Sequence, residues 1–173
     1  EEAIKSYRAA LDVEPEMFDA NFNLGLVLYA VGNLDEAISS YRKAINTTAN
    51  SAEAHYNLGL ALQAGGNLDD AIGNYKKAID IKPDYADAYN NLGNILNVIG
   101  HLEEAIEYYL KVLTIDPKYA EVYFNLGSTF QEQGRCDEGV KQLDIALSYK
   151  PEKAGWRIKK SLFLPIIPFS EED

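Results

Sequence analysis

Small and apolar residues recur along most of the chain at steps of three and four, in blocks broken by glycine, asparagine and proline. One block holds Leu34, Ala37, Ile38, Tyr41, Ala44 and Ile45, at offsets 0, 3, 4, 7, 10 and 11, which is one face of an α-helix. Gly32 ends the preceding block, Asn33 is placed to serve as N-cap, and Glu36, three residues on, completes a capping-box pattern. The preceding block carries its own apolar positions, Leu24, Leu28 and Val31, which are expected to face the second helix. The predicted unit is therefore a pair of helices joined by a tight turn. Where a proline follows, as at Pro83, it stops the second helix and resets the chain.

This unit repeats. Asn-Leu-Gly begins at Asn23, Asn57, Asn91 and Asn125, a constant step of 34. Gly32, Gly66, Gly100 and Gly134 keep the same step, as do Tyr7, Tyr41, Tyr75 and Tyr109, and Pro83, Pro117 and Pro151. Four complete units span 18–51, 52–85, 86–119 and 120–153. Residues 1–17 read as the second helix of a truncated unit, which predicts that the natural chain extends upstream, and 154–173 as a capping helix with an extended tail. Gly25 with Ala37, Gly59 with Ala71 and Gly93 with Ala105 are expected where the two helices of a hairpin touch, since small side chains let backbones approach.

These residues resemble the tetratricopeptide repeat. Its pattern is met as Tyr89-x2-Leu92-Gly93-x2-Leu96, then Ala105-x3-Tyr109, then Pro117. Departures are Ala49 for the proline, Val112 for the second small residue, and Gly139 and Leu143 for the alanine and aromatic. These departures are expected to loosen particular contacts without changing the fold. The resemblance implies an all-α fold, a right-handed superhelical solenoid of helix-turn-helix hairpins whose first helices line a concave groove.

On those first helices a second stripe remains after the hairpin core is satisfied: Asp19, Phe22, Asn23, Leu26, Tyr29 and Ala30 in the first full unit. Its counterparts are Glu53, Tyr56, Asn57, Leu60, Gln63 and Ala64; then Asp87, Asn90, Asn91, Asn94, Asn97 and Val98; then Glu121, Phe124, Asn125, Ser128, Gln131 and Glu132. None is Lys or Arg, so the basic clamp by which some tetratricopeptide modules hold a terminal carboxylate is missing. What the stripe carries is an amide ladder, Asn23, Asn57, Asn91 and Asn125. A carboxamide both donates and accepts, so it pairs with the backbone of an extended peptide whatever its sequence. Phe22, Tyr56 and Phe124 would add apolar contact, beside Asn90, Leu26, Leu60, Asn94 and Ser128. The alternative is that each Asn bonds a neighbouring hairpin or its own backbone. Glu53 and Asp87 read as helix N-terminal residues.

Composition narrows the partner. A net charge of −11 argues against nucleic acid and anionic membrane, which reward clustered cations, and favours a neutral to basic protein or peptide segment. A single cysteine, Cys136, excludes an internal disulfide and favours a cytoplasmic setting; at the place of Leu34, Leu68 and Leu102 it reads as a small buried hydrophobe. The acidic pairs Asp35-Glu36, Asp69-Asp70, Glu103-Glu104 and Asp137-Glu138 fall at the start of second helices, where they complement the helix dipole, with Arg42-Lys43 and Lys76-Lys77 nearer the other end. His55 and His101 have no partner at metal-ligand spacing. No catalytic motif, metal site or cofactor is expected.

Trp156, Ile158, Leu162 and Phe163 would form a short helix over the last hairpin, with Pro165 and Pro168 holding the 164–169 stretch extended. The segment Gly155-Trp156-Arg157-Ile158-Lys159-Lys160-Ser161-Leu162-Phe163-Leu164-Pro165-Ile166-Ile167-Pro168 resembles the junction after the repeats in bacterial SPINDLY-like proteins, which resemble O-linked N-acetylglucosamine transferases. Three functional readings follow. The first is a protein-interaction scaffold; the second, implied by that resemblance, is the substrate-recruiting repeats of a glycosyltransferase whose catalytic domain lies beyond Asp173. The third is self-association through exposed repeat ends.

Overall fold

The structure, a computed structural model, describes residues 1–161. Leu162, Phe163 and the 164–169 stretch lie outside the described residues, as do the side chain of Ile158 and the second half of the SPINDLY-like segment. Every regular element among the described residues is helical: α1 (Glu2–Val13), α2 (Phe18–Ala30), α3 (Leu34–Thr47), α4 (Ala52–Ala64), α5 (Leu68–Ile81), α6 (Ala86–Val98), α7 (Leu102–Ile115), α8 (Ala120–Glu132), α9 (Cys136–Tyr149) and α10 (Ala154–Ser161). The chain divides into two compact units, Glu1–Leu92 and Gly93–Asp173.

The turn inside each hairpin is set by one glycine. Gly32, Gly66, Gly100 and Gly134 have φ between 75° and 83°, a region that costs any residue with a Cβ about 1–2 kcal/mol. In the first turn Gly32 N–H donates to Tyr29 C=O at 3.0 Å and Asn33 N–H to Leu28 C=O at 2.9 Å, the paired bonds that satisfy the last carbonyls of a helix. Asn33 then stands at the N-cap of α3, but its Nδ2 donates to Glu36 Oε1 at 2.8 Å instead of its oxygen accepting from the backbone. At the same place His101 meets Glu104 at 3.1 Å and Arg135 meets Glu138 at 2.6 Å. Only Asn67 also accepts from the Asp70 amide, at 3.5 Å.

In the first unit Ala37, Tyr41, Ala44, Ala71, Tyr75 and Ala78 are fully enclosed, with Leu24, Leu28, Leu58 and Leu62. The close neighbour of Gly25 is the ring of Tyr41, not Ala37: a Cβ at Gly25 would stand 2.6 Å from the ring, and one at Gly59 would stand 2.7 Å from Tyr75. In the second unit Gly93 meets Tyr109 in the same way, at 2.7 Å. The last hairpin replaces ring by backbone. With Gly139 and Leu143 on α9, a Cβ at Gly127 would meet the Gly139 carbonyl at 2.9 Å. The expected loosening there does not occur, because removing a ring and a methyl lets α8 and α9 close up.

Two further expectations are corrected. Val31 is 62% exposed, because it is the C-cap of α2 and the chain is already turning away. Cys136 is exposed; it opens α9, a position where even Leu34, Leu68 and Leu102 are only half-buried. Arg42-Lys43 and Lys76-Lys77 do lie nearer the far ends of α3 and α5, although short of the last turn. Arg42 pairs with Asp70 of α5 at 3.5 Å, and Arg8 of α1 with Glu36 of α3. The acids thus join successive second helices as well as meeting the dipole at their own helix start.

Candidate peptide-binding face

The first helices are held to the turns before them by a side chain that changes identity from unit to unit. Asn21 Nδ2 donates to Pro15 C=O at 2.9 Å, His55 Nε2 lies 3.3 Å from Ala49 C=O, and Tyr123 Oη donates to Pro117 C=O at 3.1 Å. Each reaches the carbonyl six residues back and so fixes where α2, α4 and α8 start. His55 also meets Asn74 Oδ1 at 3.0 Å, tying α4 to α5.

On the first unit's face, α2 and α4 present Phe22, Asn23, Leu26, Tyr29, Tyr56, Asn57, Leu60 and Gln63, all half-buried. The floor is aromatic. Phe22 lies 5.7 Å from Phe18 and 5.9 Å from Tyr41; Tyr56 lies 4.8 Å from Tyr85 and 5.9 Å from Tyr75. Such ring pairs contribute about 0.5–1.5 kcal/mol each beyond their buried area. Burial pushes the Tyr56 phenol upward, and the Asp87 carboxylate adds to the shift. Tyr85 is pushed up to about 12 by burial first, then by Tyr56, Glu53 and Asp87. Both therefore remain neutral hydrogen-bonding groups at ordinary pH.

The asparagines are used unequally. Asn91 Nδ2 donates to Tyr56 Oη at 3.1 Å, and Asn90 Nδ2 lies 3.5 Å from Asn91 Oδ1. Asn57 Nδ2 donates to the Glu53 carbonyl one turn back at 2.8 Å. The Asn23 side chain makes no hydrogen bond among the described residues.

The second unit's face is built from amides and hydroxyls. Asn94 Oδ1 accepts from Tyr109 Oη and from Asn125 Nδ2, both at 2.9 Å. Asn97 Nδ2 reaches Thr129 Oγ1 at 3.0 Å and Glu132 Oε2 at 3.2 Å. Ser128 is buried and donates to the Phe124 carbonyl at 3.0 Å. Phe124 is stacked on Trp156 of α10 at 4.9 Å. Glu121 pairs with Lys150, which holds its carboxyl below the usual range although partial burial pulls the other way.

Sequence reasoning thus picked out the stripe but could not tell which of its members are already spent. The signal was partly available: Tyr56, 35 residues before Asn91, offers an acceptor, and Asn94 precedes Asn125 by 31. A cavity of about 760 Å³ lies elsewhere, against Asn33, Ile38, Arg42 and Asn46 of the first unit. No cluster of His, Cys, Asp and Glu among the described residues is placed to hold a metal, and no described helix is long and apolar enough to cross a membrane.

Paired helices, a left-handed glycine in each hairpin turn and a 34-residue step define a helical-repeat protein of the kind that binds other proteins. The chain belongs to the tetratricopeptide repeat family: the TPR repeat pattern matches residues 1–32, 27–65, 63–97 and 93–134. Among solved structures it is similar to a crystal structure of MamA, with 32% identity over 88% of this chain and 89% of that one, at a TM-score of 0.83. A second MamA structure matches at 32% identity and a TM-score of 0.81, covering 88% of this chain and 83% of that one. PilF of Pseudomonas aeruginosa matches at 26% identity and a TM-score of 0.77, covering 85% of this chain and 67% of that one. No curated protein sequence matches.

Proposed function

We propose that the chain is an interaction scaffold whose first-helix face in the first unit receives an extended, neutral to basic protein segment. The observation that carries this reading is the face of α2 and α4. It is half-exposed and free of Lys and Arg, and beside its rings it keeps Asn23 and the Asn57 Oδ1 without an internal hydrogen-bond partner among the described residues. Each carboxamide that pairs with a peptide backbone adds roughly 0.5–1.5 kcal/mol net. The rings supply apolar area, so affinity depends on both. Asp19, Glu53 and Asp87 in the first turns of α2, α4 and α6 bias the face toward cationic segments.

The test is NMR mapping with short peptides selected on the whole chain from a random display library. Shifts gathered on residues of α2 and α4 support the reading; shifts gathered on α3 and α5, with α2 and α4 silent, sink it.

A further inference from the structure

The repeats serve as references for one another, and the comparison isolates one atom. Tyr41, Tyr75 and Tyr109 occupy the same place, enclosed against Gly25, Gly59 and Gly93. Tyr75 Oη donates to the Gln63 carboxamide at 2.7 Å, and Tyr109 Oη to the Asn94 carboxamide at 2.9 Å. Tyr41 Oη is buried with no hydrogen-bond partner among the described residues. The reason is legible by subtraction. The residue 34 before Gln63 is Tyr29 and the residue 68 before Asn94 is Leu26, so neither carboxamide exists in the first full repeat. A buried hydroxyl without a partner is costly, and such groups in a native protein ask for an occupant.

From this we infer that Tyr41 Oη is a ligand-binding group: it donates to an amide carbonyl of the bound segment, from its backbone or from an Asn or Gln side chain. That carbonyl takes the part that Gln63 and Asn94 play in the next two repeats. The inference rests on the first-unit face proposed above and names the anchoring contact within it. The surroundings suit an amide. Phe22 lies 5.9 Å from the Tyr41 ring and offers a flat apolar wall. The Asn23 side chain on the same helix has no hydrogen-bond partner among the described residues, and Tyr29, half-buried and with no hydrogen bond to its hydroxyl among the described residues, is close enough to Tyr41 to disfavour the ionisation of Tyr41. Because the hydroxyl is closed to solvent, a side chain over it must turn aside to admit the ligand, a rotamer change of the kind common when interfaces form.

The experiment measures binding of the display-selected peptides to the whole chain and to three variants. Tyr41→Phe removes only the hydroxyl and is expected to weaken binding about three- to tenfold. Tyr29→Gln restores the internal acceptor found in the next repeat, and is expected to weaken binding while raising the melting temperature. Asn23→Ala/Asn57→Ala reports on the face as a whole. Equal affinity for wild type and Tyr41→Phe, with loss in the Asn23/Asn57 variant, overturns the hydroxyl contact and leaves the face standing. Equal affinity in all variants, or no selectable binder, overturns both.

Discussion

Tyr41 in the first unit and Tyr109 in the second do the same packing and different chemistry. Each is fully enclosed and lies against a glycine of the preceding helix, at 2.6 and 2.7 Å from the Cβ that glycine lacks. Yet Tyr109 ends on Asn94, which also takes a bond from Asn125, whereas the Tyr41 hydroxyl has no partner among the described residues. The ring is a property of the repeat, since every copy needs that volume filled. Its hydroxyl end is a property of the individual copy, decided by whether a carboxamide or an apolar side chain stands opposite. Function in such an array is therefore to be sought where copies differ in polar satisfaction while agreeing in packing.

The steric half of this comparison is tested first because its effect is largest. Gly25→Val and Gly93→Val should each lose about 3 kcal/mol or more in urea unfolding, since an enclosed ring cannot yield. Tolerance at one site and not the other would break the equivalence of the two rings. The hydroxyl half is smaller. Tyr109→Phe should cost about 1–2 kcal/mol, while Tyr41→Phe should cost nothing or stabilise slightly, because it removes an unsatisfied group. Equal losses would mean that Tyr41 has a partner after all.

The amides sharpen the same contrast. Asn125→Ala, which removes a donor to Asn94, should cost about 1 kcal/mol; Asn23→Ala should stay within about 0.5 kcal/mol, having no bond to lose. Smallest is the pH effect at Glu121. Its folded-state pKa is depressed, despite partial burial, by Lys150. The pair's contribution is therefore present above the ordinary carboxylate pKa of about 4.3 and is lost as pH falls through the lower folded value. Replacing Lys150 with Met should lower the melting temperature slightly at neutral pH and flatten that acid limb of the profile, so that the two proteins converge at low pH.

Much of the fold could be read from residue spacing because its causes are local. A glycine that must take positive φ, an acid pair at a helix start and an apolar face at steps of three and four each leave a mark within one turn. The hairpin contact was read only in part. Gly25 marks a close approach, but spacing places Tyr41 on the face of α3 without showing that its ring, and not Ala37, fills the gap. Val31 and Cys136 were misplaced for one reason: both sit at a helix end, where a periodic pattern no longer reports facing. The clamp from Asn21, His55 and Tyr123 to the turns before α2, α4 and α8 is hidden in the sequence because three unlike side chains do one job. Among the asparagines, position alone does not separate Asn91, which serves Tyr56, from Asn23, whose side chain has no hydrogen-bond partner among the described residues.

That last distinction is where the functional account is most exposed. Titrating a selected peptide into wild type, Asn23→Ala/Asn57→Ala and Asn125→Ala by calorimetry tests it directly. The account predicts that the first variant loses about tenfold in affinity at unchanged stability, roughly 1.4 kcal/mol shared between two carboxamides. Asn125→Ala should lose stability and keep its affinity. Unaltered binding in the folded Asn23/Asn57 variant would contradict the claim that this face receives the segment.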